Sequence, residues 1–226
     1  MLLLITDTSG RQGSVALARV DSSIRDGVVI LETASLAGGM FSAQLVPQIA
    51  ALLKNHAFTK ADIAAFMVVS GPGSFTGLRV GLAAIKALAE ILQKPIVPVS
   101  LLEVVARMGK SSGKMVAVLE ANRNEVYFGA YEIDGESVKI QREETVSEAE
   151  FLSAARGAIV VTPHSTLAAA ARGAGLSVLA VERPGALEIA GLGLKKLQAG
   201  ETVSPEQLEA NYMRRSDATL YAKPPS

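Results

Sequence analysis

The sequence feature that most constrains the fold is a glycine-rich loop that runs directly into an apolar helix. The segment spans residues 70–92 and has the sequence SGPGSFTGLRVGLAAIKALAEIL. Small and apolar residues recur along one face of this predicted helix: Gly73, Gly77, Gly81, Ala84, Ile85 and Leu88. Because each glycine lowers helix stability by about 1 kcal/mol relative to alanine, this spacing indicates a compensating close approach of another segment of polypeptide.

The same helix has almost no polar side. Its charged residues are Arg79, Lys86 and Glu90, which fall on one narrow stripe. A helix that is apolar over most of its circumference is covered on more than one side, so we expect a second subunit to cover what the chain itself does not. The alternative is a central helix enclosed wholly by this chain. The predicted partner interface consists of Gly73, Ser74, Phe75, Thr76, Gly77, Val80, Gly81, Ala84, Ile85 and Leu88.

The glycine loop matches neither common nucleotide-binding motif. No Lys-Ser or Lys-Thr pair follows Gly77, which excludes a Walker loop. The third glycine also falls one residue too late for the dinucleotide fingerprint. A phosphate could still bind the free N–H groups at the start of the helix.

A second candidate site is the turn Asp7–Gly10, which follows an apolar run typical of a buried strand. Its side chains and free amides could hold a phosphate, so the candidate cofactor-binding residues are Asp7, Thr8 and Ser9. The alternative is an ordinary polar turn.

Composition excludes several function classes. The chain has 226 residues, no cysteine, and 22 basic against 22 acidic residues. Disulfides, thiol catalysis and cysteine metal sites are therefore excluded, and a balanced charge argues against binding nucleic acid without a partner. The two histidines, His56 and His164, lie far apart in sequence without a metal-binding spacing. The apolar run Met1–Ile5 is too short for a signal peptide or membrane span, so a soluble cytoplasmic protein is expected.

The order of predicted elements indicates an α/β fold with two lobes. Each half begins with a strand and a hairpin and continues with alternating strands and helices, although no residue-level repeat relates the halves. Lys110–Gly113 is the predicted linker, which places the N-terminal lobe at residues 1–109 and the C-terminal lobe at 110–205. Ser42 is predicted to cap the first helix.

Two further segments have more than one interpretation. Glu120–Tyr127 places charged and amide side chains between two strands, either facing a cleft between the lobes or in a solvated connection. The tail, residues 206–226, is predicted to pack back on the N-terminal lobe. Within it, Tyr212, Arg214 and Arg215 form a small basic-aromatic cluster that suits RNA, an acidic partner or a plain helix end.

Taken together, these segments resemble the TsaB (YeaZ) family, which belongs to the tRNA threonylcarbamoyladenosine machinery. The matching segments are Leu3–Ser9 with Ser14–Leu17, Ser70–Gly81, Glu120–Tyr127 and Tyr212–Arg214. The resemblance implies an actin/Hsp70/sugar-kinase-like (ASKHA) fold, in which two lobes with mixed sheets flank a cleft. It also implies a pairing surface on the N-terminal lobe that includes the helix after Gly77.

The resemblance implies a mostly non-catalytic scaffold. Such proteins pair with a TsaD-like subunit, which binds the metal and transfers threonylcarbamoyl to N6 of adenosine 37 in tRNA. A TsaE-like ATPase joins the complex, tRNA is reached through the complex, and the proteins form homodimers when the partner is absent. We expect no metal and no tightly bound cofactor in this chain. The resemblance leaves open that ATP or ADP binds at the partner interface.

The sequence departs from the family pattern at two places. Phe41-Ser42 stands where a histidine often enters the first long helix, and Glu120-Ala121-Asn122 replaces a usual Asp-Ala-Arg. Both departures weaken any proposal of an independent catalytic or metal site. The main alternative is an ATP-binding phosphotransferase or ATPase of the same fold, with Asp7, Thr8 and Ser9 at the phosphate. A homodimer with an unrelated role is the third possibility.

Overall fold

The structure is a computed structural model that describes residues 1–24, 27–121, 124–211 and 213. The first sheet has five strands in the order β3-β2-β1-β4-β5. Their bounds are β1 (Leu2–Asp7), β2 (Gly13–Val20), β3 (Val28–Leu36), β4 (Ile63–Gly71) and β5 (Ile96–Ser100). β1, β2 and β3 pair antiparallel, whereas β4 pairs parallel with both β1 and β5.

The second sheet repeats this topology. Its order is β10-β9-β6-β7-β8, and its strands are β6 (Gly113–Glu120), β7 (Glu125–Asp134), β8 (Ser137–Ser147), β9 (Ile159–Thr162) and β10 (Ser177–Ala180). An antiparallel run of three strands is again followed by two parallel ones. The predicted two-lobed α/β fold with mixed sheets is therefore confirmed.

The helices pack around the two sheets in distinct groups. They are α1 (Phe41–Asn55), α2 (Phe75–Leu92), α3 (Leu101–Met108), α4 (Glu148–Ala154), α5 (Ser165–Gly173) and α6 (Ala186–Gln198). α1 and α2 pack together on one face of the first sheet, and α6 packs on the other face. α3 contacts both sheets, while α4 and α5 cover the outer face of the second sheet. None of the helices within the described ranges is long and apolar enough to cross a membrane.

β6 shows how one strand serves two cores. Met115, Ala117 and Leu119 join the main core that the first sheet shares with α3, whereas Val116 and Val118 join a smaller core beneath α4 and α5. This alternation follows from the two-residue period of a strand, and it requires both faces of the second sheet to be covered.

The predicted lobe boundary falls between α3 and β6. Packing does not divide the chain cleanly there, since α6 lies within the predicted range 110–205 and packs on the first sheet. In the tail, Leu208 is buried and the Asn211 N–H donates to the Ser70 carbonyl at 2.8 Å. The division into residues 1–109 and 110–205, with a returning tail, remains a prediction.

The prediction that Ser42 caps the first helix is wrong. α1 begins at Phe41, the N-cap position is Met40, and no side chain caps the helix. The Phe41 ring is buried and packs over the backbone at Gly13 and Gly77, which draws the first turn of α1 towards the sheet. Ser42 is exposed one residue into the helix.

Candidate functional site

The glycines of α2 pack against the chain's own β1–β2 turn. A Cβ atom on Gly77 would lie 2.1 Å from the Thr8 carbonyl oxygen, and one on Gly81 would lie 2.2 Å from Thr8 Oγ1. The loop glycine Gly73 is equally tight, since its Cβ would lie 2.4 Å from the Ser9 carbonyl oxygen. The close approach predicted from the glycine spacing is therefore made within the chain.

This packing corrects part of the predicted interface. Gly77, Gly81 and Ile85 are buried inside the chain, and Gly73 is half-buried against Ser9. The other predicted residues reach the surface: Ser74, Phe75 and Thr76 are exposed, and Val80, Ala84 and Leu88 are half-buried. The glycine periodicity indicated how close a neighbour comes but not which neighbour it is.

Hydrogen bonds join the start of α2 to the same turn. The Ser74 N–H donates to the Ser9 carbonyl at 2.7 Å, and the Ser74 hydroxyl accepts from the Gly77 N–H at 3.3 Å. The Ser74 side chain thus caps α2, as serine commonly does at a helix start. Its backbone N–H also holds the β1–β2 turn against the start of α2. The turn and the first turn of α2 are therefore directly linked.

The carboxylate of Asp7 is buried and has partners on both oxygens. Oδ1 accepts from the Ser9 N–H at 2.8 Å and from the Ser9 hydroxyl at 2.5 Å. Oδ2 lies 3.5 Å from Nη2 of Arg183, whose guanidinium also lies 3.4 Å from Ser9 Oγ. A phosphate–metal group at this turn would compete with Arg183 for Asp7, and Thr8 is buried against Gly81 rather than presented outward.

Arg183 was missed by sequence reasoning. It lies in the loop between β10 and α6, within the segment Glu182-Arg-Pro-Gly185, which contains no recognisable motif. Its role depends on a contact with a turn 174 residues earlier in the chain. No local signal in the sequence could have identified that contact.

A second polar group lies near Arg183. Nδ1 of His164 is 3.3 Å from Oε2 of Glu120, at the point where β6 ends and α5 begins. Burial lowers the pKa of His164 below its usual 6.5, and the nearby Arg183 charge lowers it further, whereas Glu120 opposes the shift. His164 is therefore held mainly as the neutral imidazole at neutral pH.

This shift in pKa predicts a loss of stability in mild acid. Below pH 6.5 the unfolded chain binds a proton at His164 more readily than the folded chain does. The contribution of His164 to stability is therefore present above pH 6.5 and is lost as the pH falls through the folded-state pKa.

Urea unfolding of the unmodified protein and of His164→Gln, between about pH 5 and 8, measures this effect. We expect the stability difference between the two proteins to change in favour of His164→Gln as the pH falls. A difference that stays constant over this range would show that His164 does not titrate differently in the folded state.

The two helices α1 and α2 present an exposed surface of small and apolar side chains, here called the α1–α2 face. It consists of Ala43, Val46, Pro47 and Ala50 on α1 and of Phe75, Thr76, Arg79, Val80, Ala83, Ala84, Ala87, Leu88 and Ile91 on α2. Val46 is 51% exposed, Phe75 53% and Ile91 71%. Exposure of such large apolar side chains along neighbouring helices is typical of an interaction surface.

The contribution of α1 to this face was also missed. The signal was present, because α1 has no charged residue from Phe41 to Leu53 although much of that stretch is exposed. On α2 the Arg79 guanidinium lies over the Phe75 ring, 3.7 Å from its centroid, so the charge there packs on the apolar surface.

The remaining predicted segments are described only in part. Asn122 and Arg123 of the Glu120–Tyr127 segment lie outside the described residues, as do Tyr212, Arg214 and Arg215. The described part of the first segment does reach the glycine loop, since the Tyr127 hydroxyl donates to the Gly73 carbonyl at 3.4 Å. Within the described ranges, no group of three or more His, Cys, Asp or Glu residues could hold a metal ion.

Comparison with known proteins places these features in a family context. The model of the family described as "TsaD: tRNA N6-adenosine threonylcarbamoyltransferase" matches residues 33–198. The tRNA threonylcarbamoyladenosine biosynthesis protein TsaB of Bacillus subtilis is 33% identical over 133 residues, which cover 58% of this chain and 56% of that protein. TsaB of Escherichia coli is 29% identical over 137 residues, which cover 59% of this chain and 56% of that protein. The chain thus spans about half the length of the curated relatives it matches.

Solved structures match over almost the whole fold. The structure titled YeaZ from Pseudomonas aeruginosa has a TM-score of 0.70 at 22% identity and covers 93% of this chain and 99% of its own. A second structure, titled as an uncharacterized protein with similarity to peptidase YeaZ, has a TM-score of 0.71 at 24% identity and covers 94% of this chain and 99% of its own. At these identities the likeness concerns the fold.

Proposed function

We propose that this chain, which belongs to the family described as TsaD, tRNA N6-adenosine threonylcarbamoyltransferase, is a TsaB/YeaZ-type, non-catalytic subunit of a tRNA threonylcarbamoyladenosine synthesis complex. In this proposal it binds a TsaD-like subunit and makes that subunit competent to modify N6 of adenosine 37. A TsaE-like ATPase joins the pair, and tRNA is reached through the assembled complex.

The single observation that supports a pairing role is the α1–α2 face. Its apolar side chains are exposed, although the hydrophobic cores of both sheets are buried by other parts of the chain. The face includes no acidic residue. Two helices with small residues on their outer side allow a second pair of helices to approach closely. We therefore assign this face to the TsaD-like subunit, and to a second copy of the chain when that subunit is absent.

The non-catalytic part of the proposal draws on the β1–β2 turn. The carboxylate of Asp7 already contacts Ser9 and Arg183. Because Gly77 and Gly81 have no side chain, the Thr8 backbone and side chain pack directly on α2. With these contacts the turn supports α2 on its buried side. The turn accordingly acts as part of the scaffold that positions the pairing helix.

Reconstitution tests the function directly. The chain, a TsaD-like and a TsaE-like subunit from the same organism, and unmodified tRNA would be combined with the precursors of the threonylcarbamoyl group, and the modified nucleoside measured after digestion. We expect co-purification of the TsaD-like subunit and modification that depends on this chain. Full modification without it, or no association between the two, would contradict the proposal.

The phosphotransferase alternative is separated by calorimetry. We expect no saturable sub-micromolar binding of ATP with Mg²⁺ to the isolated chain, because the Asp7 carboxylate already contacts the Arg183 guanidinium and the Ser9 hydroxyl. Tight binding accompanied by turnover would favour the alternative over the scaffold.

A further inference from the structure

The loop that starts α2 is tied to the second sheet by a polar cluster away from the α1–α2 face. At its centre is Glu143 on β8, a half-buried carboxylate. Oε1 accepts from the Ser100 hydroxyl at 2.7 Å and from the Tyr131 hydroxyl, and Oε2 accepts from Nδ2 of Asn211 at 2.8 Å. One carboxylate therefore joins the end of β5, the strand β7 and the segment that follows α6.

Asn211 extends this cluster to the glycine loop. Its backbone N–H donates to the Ser70 carbonyl at 2.8 Å, and its own carbonyl packs so closely on Gly71 that a Cβ there would lie 2.7 Å away. Ser70 and Gly71 end β4 and lead directly into the first turn of α2. The Tyr127 hydroxyl adds a second link from β7 to Gly73.

The Tyr131 hydroxyl is a fixed donor within this cluster. Burial raises the pKa of Tyr131 far above its usual range, and the Glu143 carboxylate raises it further. Tyr131 is thus a permanent hydrogen-bond donor. Each oxygen of Glu143 accepts a hydrogen bond. A substitution that removes the Asn211 donor leaves Oε2 unsatisfied, and one that adds a negative charge there repels the carboxylate.

We propose that Asn211 and Glu143 are positioning residues for the partner-binding face: their hydrogen bond fixes the loop Ser70–Ser74 against the second sheet and so sets the start of α2. The inference rests on the proposed function, because it concerns affinity for the TsaD-like subunit. It predicts that this affinity responds to a contact that is not part of the α1–α2 face.

A reversal of the hydrogen bond tests the proposal. Asn211→Asp places a second carboxylate at the Glu143 oxygen and should repel it. Glu143→Gln keeps an oxygen for Ser100 and Tyr131 and places an amide towards position 211. In the double variant that amide donates to the new aspartate, so the contact returns with donor and acceptor exchanged.

Affinity for the TsaD-like subunit and hydrogen exchange of residues 68–78 are measured for all four proteins. We expect Asn211→Asp to weaken binding about tenfold and to speed exchange, and the double variant to restore both to within about threefold. Unchanged affinity despite faster exchange would overturn the proposal, and so would a double variant as weak as Asn211→Asp. Failure of the unmodified chain to bind would instead contradict the proposed function.

Discussion

Replacing Gly77 with alanine should lower the free energy of unfolding by about 2 to 4 kcal/mol. The added Cβ would lie 2.1 Å from the Thr8 carbonyl oxygen, a backbone atom that cannot rotate away. The same Cβ would lie 3.1 Å from the Phe41 ring. The helix gains about 1 kcal/mol of intrinsic propensity from alanine, so the observed loss is net of that gain. Equilibrium urea unfolding measures it.

Two further glycines give this prediction its scale. Gly81→Ala should cost less than Gly77→Ala, since the nearest atom, Thr8 Oγ1, belongs to a side chain rather than to the backbone. Gly191→Ala, inside α6, should stabilise the protein by up to about 1 kcal/mol, because no atom outside its own helix neighbourhood lies within 4 Å of the new Cβ. Equal effects at all three positions would refute the packing of α2 on the turn.

Much of the fold could be predicted from local patterns. Apolar periodicity and flanking breakers in the sequence mark both ends of α3, Leu101–Met108, and of α6, Ala186–Gln198. Ser147, with Glu150 three residues later, has the sequence pattern of a capping box, and it forms one at the start of α4. The repeated order of strand, hairpin and alternating elements was enough to predict two α/β lobes, whereas the mixed sheets were expected from the family resemblance.

The site could be predicted only in part, because its contacts are long-range. The glycine spacing of α2 required a close neighbour, and Thr8 met that requirement from within the chain. Arg183 and Glu143 lie in a loop and on a polar edge strand, where charged residues are common. Their roles depend on the partners Asp7 and Asn211, which are distant in sequence.

Placing a charge on the α1–α2 face should abolish pairing without affecting the fold. Ala83 is exposed in the middle of α2, and glutamate is nearly as good a helix former as alanine. Ala83→Glu should therefore unfold at the same urea concentration as the unmodified protein. Its affinity for a TsaD-like subunit should fall about 100-fold or more, because binding would bury a carboxylate within an apolar interface.

A matched control is available on the second lobe. Ala169 is likewise an exposed alanine within a helix, α5, which packs on the second sheet away from the α1–α2 face. Ala169→Glu adds the same charge to the chain and should leave affinity unchanged. This pair of variants tests the exposed surface of α2 alone, whereas substitutions at Gly77 or Gly81 would also disturb the packing of α2 inside the chain.

The most direct test is the dissociation constant of the complex with the TsaD-like subunit, measured by calorimetry for the unmodified chain, Ala83→Glu and Ala169→Glu. Tight binding by the unmodified chain and by Ala169→Glu, with binding lost only in Ala83→Glu, is the predicted result. Equal binding by all three proteins would show that the exposed side of α2 is not where a second polypeptide docks.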